Sequence, residues 1–202
     1  MNGRIGVFGG TFDPPHLGHL ILAAEANAQL DLARLLWVLT AAPPHKGGSE
    51  ITALDRRLEM VQLAIRDNPA FQLSTIDIDR PGPHYTADTL RLVHTEHRGA
   101  QIVLIIGGDS LRDLPTWHDP EVVLAQADEL GVMRRPDDDL DLPRLEHRLP
   151  GLSSKVRFIE APLLEIASHQ IRDRARAGQP FRYYVPQPVH DYIVQHQLYR
   201  KP

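Results

Sequence analysis

Short, unbroken apolar runs alternate along the chain with longer stretches of helical spacing. Residues 4–8, 35–39 and 101–106 are apolar almost throughout, as strands buried on both faces are. Between them Leu17, Leu20, Ile21, Ala24 and Ala28 recur at helical spacing, and so do Leu54, Leu58, Val61 and Ile65. Asn68-Pro69 stops the second of these helices. Residues 71–78 alternate in part like a strand, and Thr86 is placed to cap a helix that carries Leu90 and Val93. A helix over 120–126, strands over 129–133 and 156–159, a helix over 168–177 closed by Gly178 and a last short helix over 188–196 complete the pattern. Residues 136–151, acidic and proline-bearing, read as a solvated surface loop. Strands that alternate with helices predict a doubly wound α/β fold: a mostly parallel sheet with helices on both faces.

In such a sheet, ligands bind outside the carboxyl ends of the strands. The segments after Phe8, Leu39, Ile106 and Met133 read GGTFDPPHLGH, TAAPPHK, GGDS and RRP, so the chemically informative residues gather where one shared site is expected. The first string is the most specific. Gly9 and Gly10 allow a tight turn and a close approach of ligand to backbone. A helix beginning near Pro15 or His16 leaves unpaired N–H groups and the positive end of its dipole there, which makes an anion site. His16 and His19, three apart, share one face of its first turn, with Gly18 keeping the surface low between them. Imidazole donates to a phosphate oxygen, and its charged form adds attraction. The string is neither a Walker A loop nor GxGxxG. A His-x-x-His pair without a third ligand nearby does not make a zinc site, so no metal ligand is assigned.

Composition narrows the class. The 202 residues fit a single domain, 1–202, with a small C-terminal helical portion from about 165. Lys and Arg number 22 against 26 Asp and Glu, a net charge of −4, which argues against a protein that coats nucleic acid or an anionic membrane. With no cysteine there is neither a disulfide nor a thiolate metal site. No signal-peptide pattern opens the chain and no apolar run is long enough to span a bilayer, so a cytoplasmic location is expected. Oligomeric state is left open.

GGTFDPPHLGH resembles the signature of the HxGH nucleotidyltransferases, with His16-Leu17-Gly18-His19 as the HxGH element. Pro43-Pro44-His45-Lys46, His84-Tyr85-Thr86-Ala87-Asp88-Thr89-Leu90, Gly107-Gly108-Asp109-Ser110-Leu111 and Trp117 are similar, in order, to the bacterial nicotinate-mononucleotide adenylyltransferases. The resemblance implies a Rossmann-like sheet and adenylyl transfer from ATP, carried with Mg2+, to nicotinate mononucleotide. It departs at Ile166-Ala167-Ser168-His169-Gln170-Ile171-Arg172, where the family usually has Ile-Ser-Ser-Thr-x-Ile-Arg, so two hydroxyls are missing.

From the resemblance, His16 and His19 are expected to clamp the reacting phosphates. Gly9, Gly10, Thr11, Phe12, Gly18, Gly107, Asp109, Ser168, Ile171 and Arg172 are expected to bind ATP, Thr11 and Phe12 through backbone and side chain. Lys46, Tyr85, Thr86, Trp117 and Arg134 are expected at the acceptor. Read from the residues alone, Asp109 and Thr86 are as well helix caps, Trp117 core, and Lys46 and Arg134 solvated charges. A nicotinamide mononucleotide or phosphopantetheine acceptor, and a nucleotide-binding sensor without turnover, stand as alternatives.

Overall fold

The computed structural model describes residues 3–41, 51–133, 140–162 and 164–200. Six strands run in parallel: β1 (Arg4–Gly10), β2 (Arg34–Leu39), β3 (Phe71–Ser74), β4 (Gln101–Gly107), β5 (Glu129–Met133) and β6 (Val156–Ile159). Their order across the sheet is β3-β2-β1-β4-β5-β6. The chain winds outward from β1 in both directions, so β1 and β4 meet at the topological switch point.

Period-two geometry explains why these strands are apolar throughout. Phe8 stands opposite Trp37 on β2 and Ile105 on β4, and all three point into one core with Leu22, Leu35 and Val61. Their neighbours Val7, Leu36 and Leu104 point into the other, with Leu90, Val93 and Val123. Helices α1 (Leu17–Gln29) and α2 (Leu54–Ile65) cover the first face. Helices α3 (Thr86–Glu96), α4 (Gly108–Asp113) and α5 (Pro120–Gln126) cover the second. A third apolar cluster joins Met60 of α2 to Ile171 and Ala175 of α8 (Ser168–Arg176) and to Val189 and Ile193 of α9 (Gln187–Gln195), which docks the C-terminal helices on α2.

Three local expectations are corrected, and the start of the first helix is set beside His16. The strand expected over 71–78 ends at Ser74, because Ile76 and Asp77 are both buried and break the alternation. A turn follows, in which Ile78 and Asp79 N–H donate to the Thr75 carbonyl and the Thr75 hydroxyl donates to Asp79. Part of the loop expected over 136–151 is helical: α6 (Leu142–Arg148), followed by α7 (Leu152–Lys155), buries Leu145 and Leu149 on the second face. Its acidic start lies outside the described residues. Thr86 does not cap α3; Tyr85 occupies the N-cap and Thr86 is the first helical residue. Helix α1 begins at Leu17, with His16 as its N-cap.

Candidate active site

A cavity of about 620 Å³ opens at the carboxyl ends of β1 and β4. One wall is the strand ends and the turn after β1, through Gly9, Gly10, Thr11 and Gly107. The opposite wall is Tyr85 and Thr86 at the N-terminus of α3, Asp109 at the start of α4, and Trp117 and His118 beyond it. Tyr85 and His118 stack with ring centroids 3.9 Å apart. Trp117 packs against the apolar core and lines the cavity at once. Asp109 does not cap α4, whose N-cap is Gly107; its carboxylate pairs with Arg112 one turn on and borders the cavity.

The histidine turn lies beyond the near wall. A Cβ on Gly9 would meet nothing within 4 Å, so this backbone is open to a ligand. A Cβ on Gly10 would stand 2.8 Å from the ring of Phe12. Phe12, at φ 46°, turns back under the loop and packs edge-on against Phe8 and His19. The residue as a whole is 2% exposed, so its ring packs under the loop and is not presented for the expected side-chain contact with nucleotide.

His16 and His19 stack with centroids 3.6 Å apart. The His16 backbone N–H donates to His19 Nδ1 at 3.2 Å. Nδ1 therefore carries a lone pair, and the proton of the neutral His19 ring sits on Nε2, where it can be donated. A Cβ on Gly18 would come within 3.1 Å of His16 Nδ1, a crowded contact that glycine avoids. The two imidazoles differ in surroundings. His16 is 6% exposed, its Nδ1 is buried without a partner, and burial lowers its pKa from 6.5 to about 4. It is neutral near pH 7 and supplies no charge there, contrary to the expectation that its charged form adds attraction. His19 is only partly buried.

A second helix N-terminus meets this turn. Ser168, the first residue of α8, donates its hydroxyl to the Pro14 carbonyl at 2.9 Å, and Arg172 Nη1 donates to the Asp13 carbonyl at 2.7 Å. Both are tied to the backbone of the motif loop. Ile171 is fully buried in the C-terminal cluster, where it packs the turn of α8 bearing Arg172. Lys46 and Arg134 lie outside the described residues.

A family model described as cytidylyltransferase-like matches residues 7–174. A Thermomicrobium roseum protein named a probable nicotinate-nucleotide adenylyltransferase is 46% identical over 98% of this chain and 92% of its own length. A Roseiflexus protein of the same name is 43% identical over 97% of this chain and 98% of its own. The chain belongs to the nicotinate-nucleotide adenylyltransferases of the cytidylyltransferase-like family. Two solved structures of Plasmodium falciparum nicotinic acid mononucleotide adenylyltransferase, complexed with APC and with NaAD, share the fold. Their TM-scores are 0.77 and 0.76 at 18% and 19% identity, over 98% of this chain and 97% of theirs.

Three residues that support the site of this nucleotidyltransferase are not among those expected from its sequence. Arg57 on α2 is 2% exposed and donates to four backbone carbonyls: Thr11 after β1, Thr40 and Ala41 after β2, and Thr52 before α2. Burial lowers its pKa, and the nearby Asp13 opposes that shift. The Asp13 carboxylate accepts from the Thr52 N–H at 3.1 Å and from the Tyr199 hydroxyl at 2.7 Å. Burial, then Asp13, push the Tyr199 hydroxyl well above its ordinary pKa, so it stays a donor. Arg57 had a signal, a charge at an apolar-face position among Leu54, Leu58 and Val61. Tyr199 had none, since it lies 186 positions from its partner. His118 and Asp77 also line the cavity unannounced; Asp77 is buried and accepts from Thr89 and Arg80.

Proposed function

We propose that this protein transfers the adenylyl group of ATP to the 5′-phosphate of nicotinate mononucleotide, forming nicotinate adenine dinucleotide and pyrophosphate in NAD biosynthesis. Membership in the nicotinate-nucleotide adenylyltransferases supports the activity, since relatives that carry that name align along almost the whole chain. The observation that carries the site assignment is the convergence of two helix N-termini, with His19 and Arg172, on a loop that also walls the cavity at the β1–β4 switch point.

An acceptor phosphate is already ionised at neutral pH, so the reaction needs positioning and charge stabilisation more than a base. An acceptor oxygen bonds to the α-phosphorus, and the bond to the bridging oxygen breaks as pyrophosphate leaves with the electron pair. In this reading His19 donates from Nε2 to the phosphate where charge grows, and His16, held neutral by burial, keeps His19 aligned by stacking. Ser168 and Arg172 hold the phosphate end through α8. Tyr85, Thr86, Trp117 and His118 receive the pyridine ring and its carboxylate at the N-terminus of α3. Lys46 and Arg134 are assigned to the acceptor phosphate on the resemblance alone.

Among the described residues, no group of three or more His, Asp or Glu side chains could hold a metal. In this reading a Mg2+ ion arrives on the triphosphate and keeps phosphate and water ligands. When bound, it would neutralise triphosphate charge. We place the protein in the cytoplasm as a single nucleotidyltransferase domain. No helix among the described residues is long and apolar enough to cross a membrane.

Pyrophosphate release from ATP and Mg2+ tests the activity, with nicotinate mononucleotide, nicotinamide mononucleotide and phosphopantetheine compared in parallel. The nicotinate compound should exceed the others by about tenfold or more in kcat/KM. ATP binding without release for any acceptor would support the sensor reading instead.

A further inference from the structure

Arg57 is a buried cation with no carboxylate within ion-pair distance among the described residues. A buried charge is normally paired or left out. Here its donors end on four carbonyls, and three of these belong to the segments that follow β1 and β2, at the mouth of the site.

The consequence for the loop follows from peptide geometry. In a trans peptide, C=O and N–H point in opposite directions. The Gly10 carbonyl accepts from the Thr40 N–H at 3.0 Å, which turns the Thr11 N–H away from β2. In an extended strand the next carbonyl would point to the other side. Instead the Thr11 carbonyl points back to Arg57 at 3.1 Å, on the same flank as Thr40 and Ala41. The Phe12 N–H is thereby turned away from that flank as well. Two successive N–H groups then face one way, and Phe12 sits at φ 46°, in the left-handed region. Successive N–H groups around such a residue form an anion-binding concavity, or nest. Thr11 borders the cavity, and a Cβ on Gly9 would meet nothing, so the backbone leading into Phe12 is open to a ligand.

We infer that Arg57 is a positioning residue for the adenylyl transfer: by holding the Thr11 carbonyl against the end of β2, it aims the Thr11 and Phe12 amides as a pair at a phosphate of the nucleotide. The inference rests on the reading of the motif loop as the nucleotide phosphate site. The planar fork is needed as well as the charge, because the bonded carbonyls are spread over three chain segments. Lysine offers one point charge on a flexible stem and cannot span them.

The test uses the full-length protein and Arg57→Lys. Four quantities are read: the Kd of a non-hydrolysable ATP analogue by calorimetry, kcat per titrated active site, KM for nicotinate mononucleotide, and thermal melting. In Arg57→Lys the analogue should bind about tenfold more weakly, and kcat should fall about 30-fold or more, as expected when oriented backbone donors are misaligned. The KM for the acceptor should rise less than the analogue Kd, because the pyridine side of the cavity is built by α3 and α4, which Arg57 does not touch. A purely structural role would lower melting and the concentration of active sites while leaving analogue Kd and kcat per site unmoved. That result overturns the inference, and so do equal losses for both ligands. A second readout needs no variant. On adding the analogue to the wild-type protein, the Thr11 and Phe12 amide signals should move downfield in 15N–1H spectra, and unmoved signals overturn the inference. Both binding readouts are independent of turnover. A wild-type protein that binds the analogue but releases no pyrophosphate refutes the adenylyl-transfer reading without deciding these outcomes.

Discussion

The two ends of the site are built in different ways. The histidine turn is local: Gly9 to His19 form one continuous string, and its key contacts, His16 N–H to His19 Nδ1 and the stacked rings, span three residues. The cavity is assembled. Its walls come from the ends of β1 and β4, the start of α3, and the segment around Trp117 and His118, which meet only because the sheet order sets β4 beside β1. The local end brings helix N-termini from α1 and α8 to one loop. The assembled end is aromatic and suited to a flat ring. A reaction that must hold phosphates still while accepting a particular acceptor gains from this division. In the proposed function the phosphates meet the motif turn and the α8 N-terminus tied to it, and the acceptor meets segments that come together only through the sheet order.

Substitutions should separate the two ends. The largest effect is expected at His19. His19→Ala should lower kcat by about 100-fold or more, with the acceptor KM little changed, because it removes a donor at the developing charge. Steady-state kinetics for both substrates check this, and a loss confined to acceptor KM would assign His19 to the wrong end.

His16 should show itself in stability against pH. Its folded pKa of about 4 lies below the ordinary 6.5, so the unfolded chain takes up a proton that the folded one refuses. The contribution is whole above pH 6.5, declines as pH falls, and is lost below about pH 4, for about 3 kcal/mol in all. Urea unfolding at pH 7 and pH 4.5 should give a smaller stability loss on acidification in His16→Gln than in the wild type. An identical loss in both would show that His16 is not the group responsible.

The smallest effect belongs to the assembled end. Trp117→Ala should raise the acceptor KM about tenfold through lost stacking, and leave the affinity for an ATP analogue within error. A shared loss would mean that the two ends do not act separately.

The strands over 129–133 and 156–159 and the helix over 120–126 were legible to the residue, because an element buried on a known face writes its period into the chain. The strand end at Ser74 and helix α6 were not, since both depend on what packs against them: Ile76 and Asp77 turn inward together, and Leu145 and Leu149 find the second face of the sheet. The site divides along the same line. Sequence by itself determined the fold class, the motif turn and its histidines, because these depend on residue type and on spacings of a few positions, and the motifs' resemblance to a known family implied the reaction. Tertiary structure alone decided that the side chains of Phe12 and Ile171 are buried in the packing, that His16 is neutral while His19 is not buried, and that Arg57 and Tyr199 hold the loop. Burial and pairing between distant segments are properties of the folded arrangement, and a bond across 186 positions leaves no mark on the local pattern of either partner.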